Sequence, residues 1–170
     1  IILNKNTSRN QIKVLSKIMK SLIGETRLPM IIIDSESILT NRNQFSARVA
    51  GIHGFRNFSK DSIFALDNNM KLKIKKILEF INKYKNQKIV IFGFTYLIYE
   101  NFIKELIKYK KRIDLPQGII IHGGGWKKLS KLNISNQEFK LKLKKYCNVD
   151  NVHNYYGMVE QTGSIFFECK

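Results

Sequence analysis

Three consecutive glycines, Gly123-Gly124-Gly125, follow the apolar run Ile119-Ile120-Ile121-His122 and lead directly into Trp126, Lys127 and Lys128. A glycine run costs backbone entropy, so either left-handed φ values or the close approach of a flat group must call for it. Downstream, Tyr155-Tyr156-Gly157-Met158-Val159-Glu160-Gln161 sets an aromatic pair before a glycine, with a carboxylate close behind. An aromatic face suits a purine base, and a carboxylate suits Mg²⁺, which takes few carboxylates beside phosphate oxygens. Each motif also has a plain structural reading, as a tight turn with a core tryptophan and as a strand-end tyrosine with a solvated glutamate. Both motifs sit at the ends of apolar runs with a helical stretch between them, which favours a nucleotide pocket, because α/β sheets hold ligands at the carboxyl ends of their strands. No GKS or GKT follows the glycines and the spacing is not GxGxxG, so neither a P-loop nor a dinucleotide fingerprint is present.

A second stretch, Ser46-Ala47-Arg48-Val49-Ala50-Gly51-Ile52-His53-Gly54-Phe55, is rich in small and apolar residues and shows no helical or strand period. It reads either as a loop lining a substrate tunnel, with Ala50, Gly51, His53, Gly54 and Phe55 facing the substrate, or as a packed surface loop. His53 alone reads as structural. Cys147 and Cys169 make neither a disulfide framework nor a metal spacing, fit a reducing, cytoplasmic setting, and read as packing residues.

The elements that must position these residues follow from periodicity. Ser8 with Gln11 resembles a capping box for a helix over 8–23, with Ile12, Leu15, Ile18, Met19 and Leu22 on one face. Met30-Ile31-Ile32-Ile33 reads as a buried strand, and Ile63 to Leu66 as a short one. Asp67 is placed to cap a helix with Met70, Ile74, Ile77, Leu78, Ile81 and Tyr84 inward. Lys88 to Phe92 is the next strand, broken by Gly93. Thr95 caps a helix to Lys110 with Ile98, Phe102, Leu106 and Tyr109 inward. The strand 119–122 precedes a helix that Ser135 and Glu138 cap, with Phe139, Leu143 and Tyr146 inward, and strands over 151–156 and 163–168 close the chain. This alternation predicts an α/β fold, a largely parallel sheet flanked by helices, in a single domain over residues 1–170.

The chain carries 30 Lys and Arg against 13 Asp and Glu, a formal net charge of +17. Such a charge suits nucleic acid or a membrane surface. The lysines are spread along helices beside many Asn and Ile, however, which fits solvated faces, and the reading is against a nucleic-acid partner. No run of apolar residues is long enough for a membrane span, and no signal-peptide pattern opens the chain. Ile1 and Lys170 read as cut points within a longer protein.

The stretch Ile121-His122-Gly123-Gly124-Gly125-Trp126-Lys127-Lys128-Leu129, together with Tyr155 to Gly163, resembles the acyl-protein synthetase family. That family supplies activated fatty acid to the reductase of bacterial bioluminescence and belongs to the adenylate-forming superfamily of acyl-CoA ligases and firefly-type luciferases. Ser46-Ala47-Arg48 with Gly51 and Gly54-Phe55, and Phe92-Gly93-Phe94-Thr95, agree with it. The resemblance implies a central part of the superfamily's N-terminal domain. It implies ATP and Mg²⁺ as cofactors, a fatty or related carboxylic acid as substrate, an acyl adenylate, and acyl transfer to a thiol of a reductase or carrier partner. Gly123, Gly124 and Gly125 would lie along adenine beside Trp126, Tyr156 before Gly157 would stack on the base, and Glu160 would hold Mg²⁺ as the catalytic carboxylate. Val159 stands where the wider superfamily commonly has Thr, which leaves the α-phosphate contact unassigned. Asn4-Lys5-Asn6-Thr7-Ser8 does not match the superfamily's phosphate loop, and neither cysteine matches the family's acyl-accepting one. An aryl-acetate type acid-CoA ligase, a basic nucleic-acid-binding module and a non-catalytic scaffold are the alternatives.

Overall fold

β-Branched and aromatic runs form the sheet, and amphipathic lysine-bearing stretches cover it. A computed structural model of the chain describes residues 5–40, 47–126, 131–157 and 165–168. Helix α1 (Lys5–Ile23) leads to strand β1 (Leu28–Ser35) and a 3₁₀ turn (Glu36–Leu39). Helix α2 (Ala47–Arg56), strand β2 (Ser59–Leu66), helix α3 (Ile74–Lys83) and strand β3 (Val90–Phe94) follow. A continuous rod comes next, made of α4 (Thr95–Leu97), a π-helical segment (Ile98–Ile103) and α5 (Lys104–Lys108). Strand β4 (Ile119–Gly123), helix α6 (Asn136–Cys147), strand β5 (Asn151–Gly157) and strand β6 (Ile165–Phe167) complete the described chain.

The six strands form one sheet in the order β2-β1-β3-β4-β5-β6. All neighbours run parallel except the β5–β6 pair. The helices divide between two apolar layers. Met19 and Ile23 of α1 and Ile52 and Phe55 of α2 pack with Met30, Ile32, Val90, Phe92 and Ile121 on one face. Ile77 and Phe80 of α3, Phe102 and Leu106 of the rod, and Phe139 and Leu143 of α6 pack with Ile31, Ile33, Ile91 and Ile120 on the other. A parallel sheet buried on both faces explains why β1, β3 and β4 read as continuous apolar runs. The fold is thus α/β with a mostly parallel sheet, as the alternation of runs predicts. Among the described residues, no helix is long and apolar enough to cross a membrane.

Several local expectations change. Helix α1 already includes Lys5, so Ser8 lies within it and not at its cap. The stretch at 47–56 is a helix, not a loop: its glycines hide the 3.6 period because Gly51 and Gly54 face packed elements while His53 and Ala50 are exposed. Strand β2 begins at Ser59, well before Ile63. Asp67 caps no helix; its Oδ1 accepts from the N–H groups of Asn69 and Lys71 in a turn, and α3 starts at Ile74. Leu78 and Tyr109 are exposed, so both inner faces are narrower than expected. Gly93 does not break β3; the strand continues to Phe94, and Gly93 lets Ile33 and Ile98 approach, since a Cβ there would lie 3.0 Å from a carbon of each. The cap of α6 is as expected: Ser135 Oγ accepts from Glu138 N, and the Glu138 carboxylate accepts from Ser135 N.

Candidate functional site

Strands β4 and β5 end side by side, with Gly123 paired to Tyr155. Two of the three glycines are required by the chain's own aromatics. A Cβ on Gly123 would stand 2.6 Å from the Tyr155 ring, and one on Gly124 would stand 2.3 Å from Phe94. Gly124 and Gly125 both take positive φ, +75° and +63°, where a side chain is strained. Gly125 differs in having open space where its Cβ would be. Gly123 is buried, whereas Gly124 and Gly125 are exposed. The turn therefore offers a short, open backbone shelf resting on Phe94 and Tyr155.

Successive residues of β5 face opposite ways. Tyr155 packs inward against Phe55 and Phe167, and burial pushes its phenol up to about 12. Tyr156 is 61% exposed, and Phe166, directly opposite it across the β5–β6 ladder, is 55% exposed. The pair presents aromatic surface next to the glycine turn. Trp126 is half-buried, edge-on to Tyr99 and to Phe139 at 5.3 and 5.5 Å. Gly157 ends β5 and is exposed. Glu160, with Lys127, Lys128, Val159, Gln161 and Thr162, lies outside the described residues. Among the described residues, no group of three or more His, Cys, Asp or Glu side chains is placed to hold a metal ion.

The residues expected to face a substrate tunnel are spread over α2. A Cβ on Gly51 would lie 3.4 Å from the Tyr155 hydroxyl and near the rings of Phe92 and Phe94, one on Gly54 would face Leu15 of α1, and Phe55 stacks on Phe92 at 4.3 Å. A Cβ at either glycine would make only ordinary contacts, and the groups it would meet belong to the protein itself. His53 and Ala50 point to solvent on the outside of the helix. Two surface grooves, of about 500 and 410 Å³, lie along α6 with the start of β5 and between α1 and α2. Neither is lined by the glycine turn or Tyr156.

Two polar pairs at strand ends were not singled out from the sequence. Asp34, 2% exposed at the end of β1, accepts from Arg48 of α2 through Nε at 3.0 Å and Nη2 at 2.5 Å. Burial pulls the guanidinium down, but the hydrogen bonds and charge of Asp34 outweigh it and hold Arg48 above its ordinary value. His122, 2% exposed, has Nδ1 at 2.9 Å from Thr95 Oγ1, and that hydroxyl donates to the Gly123 carbonyl at 3.0 Å. The usable signal in both cases was a polar residue closing an apolar strand, since such a residue is buried with its partner or not at all. Cys147 is buried, and burial pushes its thiol up to about 12, consistent with packing and not with nucleophilic chemistry.

Burial also pushes His122 down to about 4, against the pull of Glu168 and with the help of Lys140 and His153. An unfolded histidine titrates near ~6.5, so between that pH and about 4 the unfolded chain binds a proton that the folded chain refuses. Stability is therefore expected to fall as pH drops through this window, at up to about 1.4 kcal/mol per pH unit. Urea midpoints at pH 7 and pH 5 check this: the drop should shrink in His122→Asn, and an equal drop in both proteins would refute it.

A family model described as Acyl-protein synthetase, LuxE, matches residues 1–170, the whole chain. No curated protein and no solved structure matches the chain.

Proposed function

Since the chain belongs to the acyl-protein synthetase family, we propose that its glycine turn and Tyr156 form the base-binding part of a site for ATP-dependent activation of a fatty or related carboxylic acid. The observation that carries this reading is the exposed Tyr156 ring beside a turn whose last glycine leaves open space. A flat base fits such a shelf: the exposed glycine backbone offers hydrogen-bonding groups at one edge, and a ring offers its face. Glu160 would hold Mg²⁺, whose chemistry is to neutralise phosphate charge.

In the reaction proposed, a carboxylate oxygen of the acid attacks the α-phosphorus of ATP. The bond to the bridging oxygen breaks and pyrophosphate leaves, giving an acyl adenylate. A thiolate then attacks the acyl carbon and AMP leaves, so the acyl group ends on sulfur. Neither cysteine of the chain takes that role, and the acceptor would be a thiol of a reductase or carrier protein. What these residues contribute is orientation of the nucleotide, which lowers the barrier by fixing the phosphorus relative to the acid. The lysine-rich surface would raise the local concentration of anionic nucleotide and acid.

Stacking and a backbone shelf are expected to give weak affinity, with Kd on the order of 1 mM, and little turnover by this chain alone. Titration with ATP and Mg²⁺ tests this, with Glu160→Gln expected to remove the dependence on Mg²⁺ and leave base binding in place. Robust fatty-acid-dependent ATP–pyrophosphate exchange by the chain would contradict this expectation of little turnover. Supplying a protein thiol and coenzyme A in parallel separates acyl-protein synthesis from acid–CoA ligation.

A further inference from the structure

We infer that Thr95 and His122 are positioning residues for the glycine turn, a Nδ1–H imidazole donating to the Thr95 hydroxyl, which donates in turn to the Gly123 carbonyl. Both contacts are of hydrogen-bond length, 2.9 Å from His122 Nδ1 to Thr95 Oγ1 and 3.0 Å from Thr95 Oγ1 to Gly123 O. A hydroxyl has one proton to give. The Gly123 carbonyl can only accept, so it takes that proton, and the remaining contact is made when His122 Nδ1 carries a hydrogen. Nε2 is then a bare acceptor, and it has no hydrogen-bond partner among the described residues.

The arrangement joins three elements. Thr95 opens α4 directly after β3, His122 sits near the end of β4, and the imidazole lies edge-on to Phe139 of α6 at 4.9 Å. Thr95 and His122 are 4% and 2% exposed, so no water competes for the bonds. Fixing the Gly123 carbonyl fixes the peptide from which the turn departs, ahead of the two positive-φ glycines. Around the ring, Glu168 favours the protonated imidazole while Lys140 and His153 oppose it. The consequence for nucleotide binding rests on the function proposed above; the latch on the turn does not.

Three measurements on the chain test it. Nitrogen-15 NMR of the imidazoles at pH 7 should find His122 protonated at Nδ1 and bare at Nε2, and the reverse tautomer overturns the inference. Amide hydrogen exchange at Gly123, buried at the end of β4, should quicken about tenfold in Thr95→Val relative to β1 amides, and stay within about twofold of wild type in Thr95→Ser, which keeps the hydroxyl. Equal behaviour of the two variants, or no change in either, overturns it too. If Thr95→Val does not fold, the tautomer and the serine variant still decide. In the nucleotide arm, affinity for ATP with Mg²⁺ should fall in Thr95→Val and recover in Thr95→Ser. A wild-type chain that takes up no ATP counts against the nucleotide reading, while exchange and tautomer still judge the latch.

Discussion

Gly124→Ala is expected to destabilise the chain by about 3 kcal/mol, the sum of two costs. The left-handed backbone at φ +75° costs a side chain about 1–2 kcal/mol, and overpacking of a filled site costs a similar amount. The second cost arises because the new Cβ would lie 2.3 and 2.6 Å from two carbons of the Phe94 ring, which is itself buried and has nowhere to go. Gly125→Ala is the control. Its φ is similar, +63°, but nothing lies within 4 Å of the added methyl, so only the backbone cost of about 1 kcal/mol remains. Urea unfolding of both variants measures the difference. Equal losses would show that the Phe94 contact is not what requires Gly124.

The second large effect is expected at the end of β1. Arg48→Ala would leave the Asp34 carboxylate buried with, among the described residues, only the N–H of Ser35 to answer it, and losing one partner of a buried pair costs about 3–5 kcal/mol. Arg48→Lys should recover little, because an ammonium cannot reproduce the two-pronged contact of Nε and Nη2. Asp34→Asn combined with Arg48→Ala should be less damaging than the arginine change alone, since no uncompensated charge stays inside. A double-mutant cycle by urea unfolding reads this directly. Purely additive losses would mean that the pair is not coupled.

These two sites also mark what the sequence can and cannot disclose. The buried strands were legible because a parallel sheet covered on both faces demands unbroken apolar runs, as at Met30–Ile33 and Ile119–Ile121. The cap of α6 was legible because Ser135 and Glu138 act on neighbouring backbone alone. Helix α2 was not, because two glycines within its apolar face erase the period that betrays a helix. Both positions face packed elements: a Cβ on Gly51 would lie in ordinary contact with Tyr155 and Phe92, and one on Gly54 with Leu15. Asp67 and Gly93 failed similarly, one diverted into a turn and the other held in a strand by the carbons of Ile33 and Ile98. At the candidate site the glycine run drew attention correctly to a special backbone. That two of its members serve Tyr155 and Phe94 depended on the register of β3, β4 and β5, which no local pattern encodes. The same holds for Thr95 and His122, brought together across two strands.

Nucleotide binding at the shelf beside Tyr156 is the central prediction. Trp126 follows the turn directly and is the chain's single tryptophan, so its fluorescence reports on that place alone. Titration of the chain with ATP and Mg²⁺, followed at Trp126, should give a saturable change whose midpoint shifts about tenfold higher in Tyr156→Ala, the effect of losing one stacked base worth ~1–3 kcal/mol. The variant should keep its stability, because the ring is 61% exposed. An absent or non-saturating response in the wild-type chain, or an identical midpoint in Tyr156→Ala, would contradict the assignment.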